Sequence, residues 1–93
     1  MTKAEVITEI SRKTGIDKED IKNTMEELLS VVQDAVIKDQ RVHFSGFGSF
    51  FRKKRAQKIG RNISTNTAIV VNEHYIPSFK PSKFFLAKVK STI

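Results

Sequence analysis

Six of the ten residues from Arg52 to Arg61 are Lys or Arg, the densest run of like charge in the chain. Their chemistry is attraction of anions, through charge and through N–H donation to oxygen. Covalent or acid–base chemistry has little to work with. His43 and His74 each stand without a second His, a Cys or a carboxylate at ligand spacing, and Glu73 is the one acid after Asp39. Gly46-Phe47-Gly48 is a fragment of a glycine-rich phosphate loop, but no Gly-Lys follows it. The expectation is a protein that is not an enzyme and uses neither metal nor cofactor.

The basic run lies inside a longer stretch, Ser45 to Phe79. It opens with Ser45-Gly46-Phe47-Gly48-Ser49-Phe50-Phe51, runs out through Arg52 to Arg61, turns near Asn62 to Asn66 and returns through Thr67-Ala68-Ile69-Val70-Val71. The outgoing half has no apolar stripe to bury, while the return half is β-branched, so the pair reads as a hairpin arm projecting into solvent. An isolated two-stranded hairpin is marginal in water. A ligand must therefore help to order it, and the charge makes that ligand a polyanion. Ten outgoing residues at ~3.3 Å each reach ~30 Å, enough to wrap a duplex groove.

The rest of the chain must carry this arm. Ninety-three residues make one small domain, for which oligomerisation is a natural remedy, and the absence of Cys suits a reducing compartment. Neither a signal peptide nor an apolar run of membrane-spanning length is read in it, so a cytoplasmic location and no membrane partner are expected. The net charge of +7 is unevenly spread: residues 1–40 hold six Lys/Arg against nine Asp/Glu, and residues 41–93 hold eleven against one. An acidic helical scaffold followed by a basic ribbon suggests a nucleic-acid-binding element on a separate base.

Thr2-Lys3-Ala4-Glu5 reads as a capping box, Gly15 as the stop of the first helix, and Asp17 as the cap of a second that runs to about Lys38. Ile21, Met25, Leu28, Leu29, Val31, Val32, Ala35, Val36 and Ile37 cover much more than one stripe of that helix. Helix one covers one side, and a second subunit is inferred to cover the other. Arg41 to Phe44 alternates as a half-buried strand, and Phe44, Phe47, Phe50 and Phe51 are read as core and interface anchors rather than a base-stacking platform. A last short helix begins at Ser82, its cap, with Phe85, Val89 and Ile93 on one face and Lys80 and Lys83 at its start, a plausible phosphate seat.

Three motifs then carry a resemblance: Gly46-Phe47-Gly48-Ser49-Phe50, Gly60-Arg61-Asn62 at the arm tip, and Pro77-Ser78-Phe79-Lys80 entering the last helix. In their spacing and in the helix-helix-ribbon-helix order, the whole chain resembles the HU and integration host factor proteins, bacterial DNA-bending dimers. The resemblance implies an α+β fold: an intertwined dimer of an N-terminal helical hairpin (1–40), a three-stranded antiparallel sheet (41–81) extended into a β-ribbon arm at about 52–76, and a C-terminal helix (82–93). It implies one such domain over residues 1–93. The function implied is that of an architectural, nucleoid-associated protein, binding duplex DNA through the minor groove largely independently of sequence and bending or compacting it.

By the same resemblance Lys3, Gly46, Arg52, Lys53, Arg55, Lys58, Arg61, Asn62, Lys80 and Lys83 are the expected DNA-binding residues. Leu28, Leu29, Val32, Phe44, Phe47, Phe50 and Phe79 form the expected dimer core. Ile63 stands where relatives usually carry a Pro that wedges between base pairs, and Ile is among the side chains able to do so. Asn66 replaces a usual turn Gly, Ser82 a common Gly, and Thr67 and Leu86 stand where many relatives have Lys. The expected partner is double-stranded DNA, in bent, nicked or junction forms above all, bound by a homodimer or by one subunit of a sequence-preferring heterodimer. RNA is a secondary partner on charge alone, and an acidic protein surface is a further alternative.

Overall fold

A computed structural model describes the backbone of residues 1–62 and 67–93, and the side chains of these except 61, 62, 67–69 and 71. The described elements are α1 (Lys3–Thr14), α2 (Lys18–Ile37), β1 (Val42–Phe44), β2 (Gly48–Arg55), β3 (Lys58–Asn62), β4 (Thr67–Val71), β5 (His74–Pro81) and α3 (Lys83–Lys90). They fall into two compact units, Met1–Asp34 and Ala35–Ile93.

In the first unit, local chemistry sets the helix ends. Thr2 Oγ1 accepts the Glu5 N–H at 3.3 Å, giving one of the first unpaired amides of α1 a partner. Gly15 closes the helix in the left-handed region (φ 75°), where a side chain would be strained, and its N–H reaches the Ser11 carbonyl. Asp17 then caps α2, accepting the Glu19 N–H at 3.4 Å. Ile7 and Ile21 are buried, but Leu28, Leu29 and Val31 remain 46–56% exposed. Among the described residues of the whole chain no side chain is fully buried. A single copy thus leaves much of the apolar surface of α2 in water.

The second unit begins with the last turn of α2, which ends in a Schellman arrangement. Gln40 N–H reaches the Ala35 carbonyl at 2.8 Å and Asp39 N–H the Val36 carbonyl at 3.0 Å. The residue held left-handed is Asp39, at φ 60°, in a place usually taken by Gly or Asn. The chain then forms a three-stranded antiparallel sheet in the order β1-β2-β5. Phe50 pairs with Val42 on one side and with Phe79 on the other. Gly48 is required by close approach: a Cβ there would lie 2.5 Å from the Lys80 carbonyl oxygen and 2.7 Å from the Phe79 ring.

Over one face of this sheet the aromatic rings gather. Phe50 and Phe79 lie 4.8 Å apart between centroids, Phe47 lies 5.2 Å from Phe79, and Phe85 of α3 stacks on Phe47 at 5.4 Å. Ser82 caps α3 by accepting the Phe85 N–H at 3.1 Å, which ties the ring's approach to the helix start. Only Phe85 of the apolar face read for this helix packs in this way. Val89 is 54% exposed, and Ile93 lies beyond the helix, whose C-cap is Ser91.

The arm, read from sequence as one ribbon, is two paired stretches. β2 pairs with β5 as far as Arg55 and His74, pairing lapses at Ala56-Gln57 and Asn72-Glu73, and β3 pairs with β4 from Lys58 and Val71 onward. Two residues are passed over on each strand, so the register is unchanged across the gap. Residues 63–66 at the tip, Ile63 among them, lie outside the described residues.

Candidate nucleic-acid interface

In an antiparallel pair, residues directly opposite each other share a face and neighbours along the strand alternate. The register therefore sorts the basic run into two sets. Arg52 (opposite Pro77) and Lys54 (opposite Tyr75) lie on the aromatic face, with Phe50 and Phe79. Lys53 (opposite Ile76) and Arg55 (opposite His74) lie on the other, with Ser49 and Lys80.

The two faces differ in what neutralises them. On the aromatic face Lys54 Nζ lies 3.3 Å from Glu73 Oε2, and Arg52 lies 3.5 Å from Asp39 Oδ2 with its guanidinium 3.9 Å above the Tyr75 ring. On the opposite face Lys53, Arg55 and Lys80 are exposed and, among the described residues, none has an acid within ion-pair distance. Arg41 joins them, its guanidinium resting 4.6 Å from the centroid of the Phe51 ring. His43 is placed there too, with Nδ1 2.8 Å from Ser49 Oγ, as is His74, whose Nδ1–H donates to the Asn72 carbonyl at 3.0 Å. The described residues of this sheet face, Arg41, His43, Ser49, Phe51, Lys53, Arg55, His74, Ile76, Ser78 and Lys80, include no carboxylate.

The expected DNA-binding residues are thus distributed unevenly. Lys53, Arg55 and Lys80 are brought together on the acid-free face. Lys83 is exposed in the first turn of α3, two residues past Pro81, the end of β5. Gly46 sits in the exposed β1–β2 turn at φ 78°. Lys58 opens β3 opposite Val71 and is exposed. Arg52 is held apart, its side chain 28% exposed and its partners Asp39 and Tyr75. In the first unit Lys3 pairs with Glu26 at 3.3 Å, both about half exposed, a pair worth at most about 1 kcal/mol. The backbones of Arg61 and Asn62 pair with Ala68 and Thr67, and their side chains, like Ile63, lie outside the described set.

Sequence reasoning missed Arg41. Its signal was the alternation Arg41-Val42-His43-Phe44, which puts Arg41 and His43 on the face opposite the Phe cluster once β1 is laid against β2. Among the described residues no three His, Asp or Glu side chains gather as a metal site, and no helix is long and apolar enough to cross a membrane.

Three helices, a three-stranded antiparallel sheet and a basic two-stranded extension define an α+β protein built to present a cationic ribbon. The chain belongs to the bacterial DNA-binding protein family, that of HU and integration host factor, whose pattern it matches over residues 1–90. It is 38% identical over 90 residues to DNA-binding protein HU of Thermotoga maritima, covering 97% of this chain and 100% of the relative. It is 30% identical over 94 residues to integration host factor subunit beta of Colwellia psychrerythraea, covering 100% and 99%. Among solved structures, a cocrystal of Anabaena HU with DNA superposes with a TM-score of 0.89 at 29% identity, over 96% of this chain and 97% of that one. The family is one of architectural DNA-binding proteins and not of enzymes.

Proposed function

We propose that the chain works as a dimer that binds duplex DNA through the minor groove, largely independently of sequence, and bends or compacts it in the nucleoid. The observation that carries this reading is the acid-free sheet face holding Arg41, Lys53, Arg55 and Lys80 at the root of the arm. Cations with no internal partner are free to neutralise phosphates and release counterions, which makes binding fall steeply with salt. Lys3, Gly46, Lys58, Arg61, Asn62 and Lys83 are further DNA-binding residues in this reading, and Ile63 is the apolar wedge that localises the bend. Dimerisation is supported by Leu28, Leu29, Phe47 and Phe79, each 39–48% exposed in one copy. With Val32, Phe44 and Phe50 they form the dimer core. Residues 1–93 act as one DNA-binding domain in this reading.

Integration host factor subunits among the relatives support a second reading, in which the chain is one partner of a sequence-preferring heterodimer. Both readings are tested by titrating linear, nicked and four-way-junction DNA, and RNA duplex, across a salt series while the mass in solution is measured. A dimer that binds distorted DNA best and loses affinity steeply with salt is the expected result. Equal affinity for RNA duplex and distorted DNA would overturn the architectural reading, and a chain that dimerises only with a second protein would select the heterodimer. Ile63→Ala should leave linear-DNA binding intact and reduce bending, read by energy transfer between duplex ends.

A further inference from the structure

Asp39 occupies a position that ordinary helix chemistry disfavours twice. It is held left-handed at φ 60°, where a residue with a Cβ is strained and Gly or Asn is usual. It also places a negative charge at the negative end of the α2 dipole, in a helix with no basic residue in its last turn. A Gly would serve the Schellman turn better. The contact that distinguishes Asp39 is its ion pair with Arg52, at 3.5 Å.

Arg52 is unusual in its turn. Of the cations in the arm's first stretch, it is the one whose side chain is 28% exposed, and its Nε is buried without a hydrogen-bond partner. Its guanidinium lies 3.5 Å from the Asp39 carboxylate and 3.9 Å from the centroid of the Tyr75 ring. Tyr75 lies on β5, diagonal to Arg52 on the same face, so the stack spans the two strands where the ribbon leaves the sheet. One planar cation therefore ties three segments together: the turn after α2, β2 and β5. A Lys reproduces this poorly, because its ammonium is a compact point charge without the planar guanidinium that stacks on a ring.

We propose that Arg52 is a positioning residue and not a DNA contact: with Asp39 and Tyr75 it clamps the root of the arm, setting the direction in which the cationic face is presented. The proposal rests on the DNA-binding reading above for its functional consequence, but not for the clamp itself. Strain at Asp39 is kept because the carboxylate must be at that point to hold Arg52.

The test uses Asp39→Asn, Arg52→Lys and Arg52→Met in the full chain, with three measurements. Amide hydrogen exchange at Lys53, Lys54 and Tyr75 is followed in the free protein, thermal unfolding gives stability, and a salt series gives DNA affinity and its slope. Asp39→Asn keeps a residue that tolerates the left-handed region and removes the charge at the helix end. Its Tm should stay level or rise, while exchange at the arm root quickens and affinity for junction DNA falls about fivefold, the order expected for one exposed ion pair and a weakened cation–π contact. Arg52→Lys and Arg52→Met should behave alike in affinity, with the salt slope of the wild type. A positioning role is overturned if Arg52→Lys binds as the wild type does and Arg52→Met lowers the slope by about one per chain, the mark of a phosphate contact. Wild-type exchange in both Arg52 variants would overturn it equally. Should the wild type show no salt-dependent DNA binding, the functional reading fails, and the exchange rates still decide the clamp.

Discussion

Replacing Lys53 and Arg55 together by Gln removes two exposed cations from the acid-free face without touching the aromatic cluster. If each neutralises one phosphate, each contributes about 0.9 to the slope of log affinity against log salt, so the pair contributes about 1.8 per chain and twice that in a dimer. Between roughly 50 and 200 mM salt, a slope of that size amounts to about a tenfold loss per chain that the wild type suffers and the variant does not. A control comes from the other face. Lys54 and Glu73 lie 3.3 Å apart, so replacing both by Gln is charge-neutral and should leave the slope unchanged. Lys54→Gln alone would be ambiguous, since it frees Glu73 to repel the duplex. The assay is fluorescence anisotropy of a labelled duplex titrated at several salt concentrations. All four side chains are exposed, so stability should move by no more than about 0.5 kcal/mol, checked by thermal unfolding. A wild-type slope in the Lys53/Arg55 variant, or an equal fall in the control, would refute the division of the ribbon into a free and a compensated face.

Gly48→Ala should destabilise by about 1–3 kcal/mol, because its Cβ meets the Lys80 backbone oxygen and a Phe79 ring already fixed by Phe47 and Phe50. Gly46→Ala, at φ 78° in open space, should cost only the left-handed penalty of about 1–2 kcal/mol, read by the same thermal unfolding. Leu29→Glu, at a site 48% exposed in one copy, should abolish the dimer by placing an unpaired charge in its interface. Light scattering would then report one chain or an unfolded species, and a stable dimer would remove α2 from the interface.

The helix boundaries were legible because a cap is a relation between residues two to five apart. Thr2 with Glu5, Gly15 with Ser11, Asp17 with Glu19 and Ser82 with Phe85 are all of this kind. So was the ribbon, since six cations in ten residues cannot be buried and a β-branched return leg has one natural partner. Three widely spaced motifs carried the family, and the fold followed from it. The cap at Asp39 escaped, because a left-handed Asp carries no compositional signal where Gly would have carried one.

Which cations are free is a different kind of fact. Sequence determined that the arm is basic, where it begins and that its partner is a polyanion, because charge and local propensity are properties of neighbours along the chain. The tertiary structure alone decided that Arg52 and Lys54 are engaged while Lys53 and Arg55 are not. That decision depends on register, which sets Lys54 opposite Tyr75 and within reach of Glu73, and it brings Arg52 to Asp39 and Arg41 to Phe51. Strand alternation then turns adjacent residues of one basic run to opposite faces, and the acids available to each face lie elsewhere in the chain.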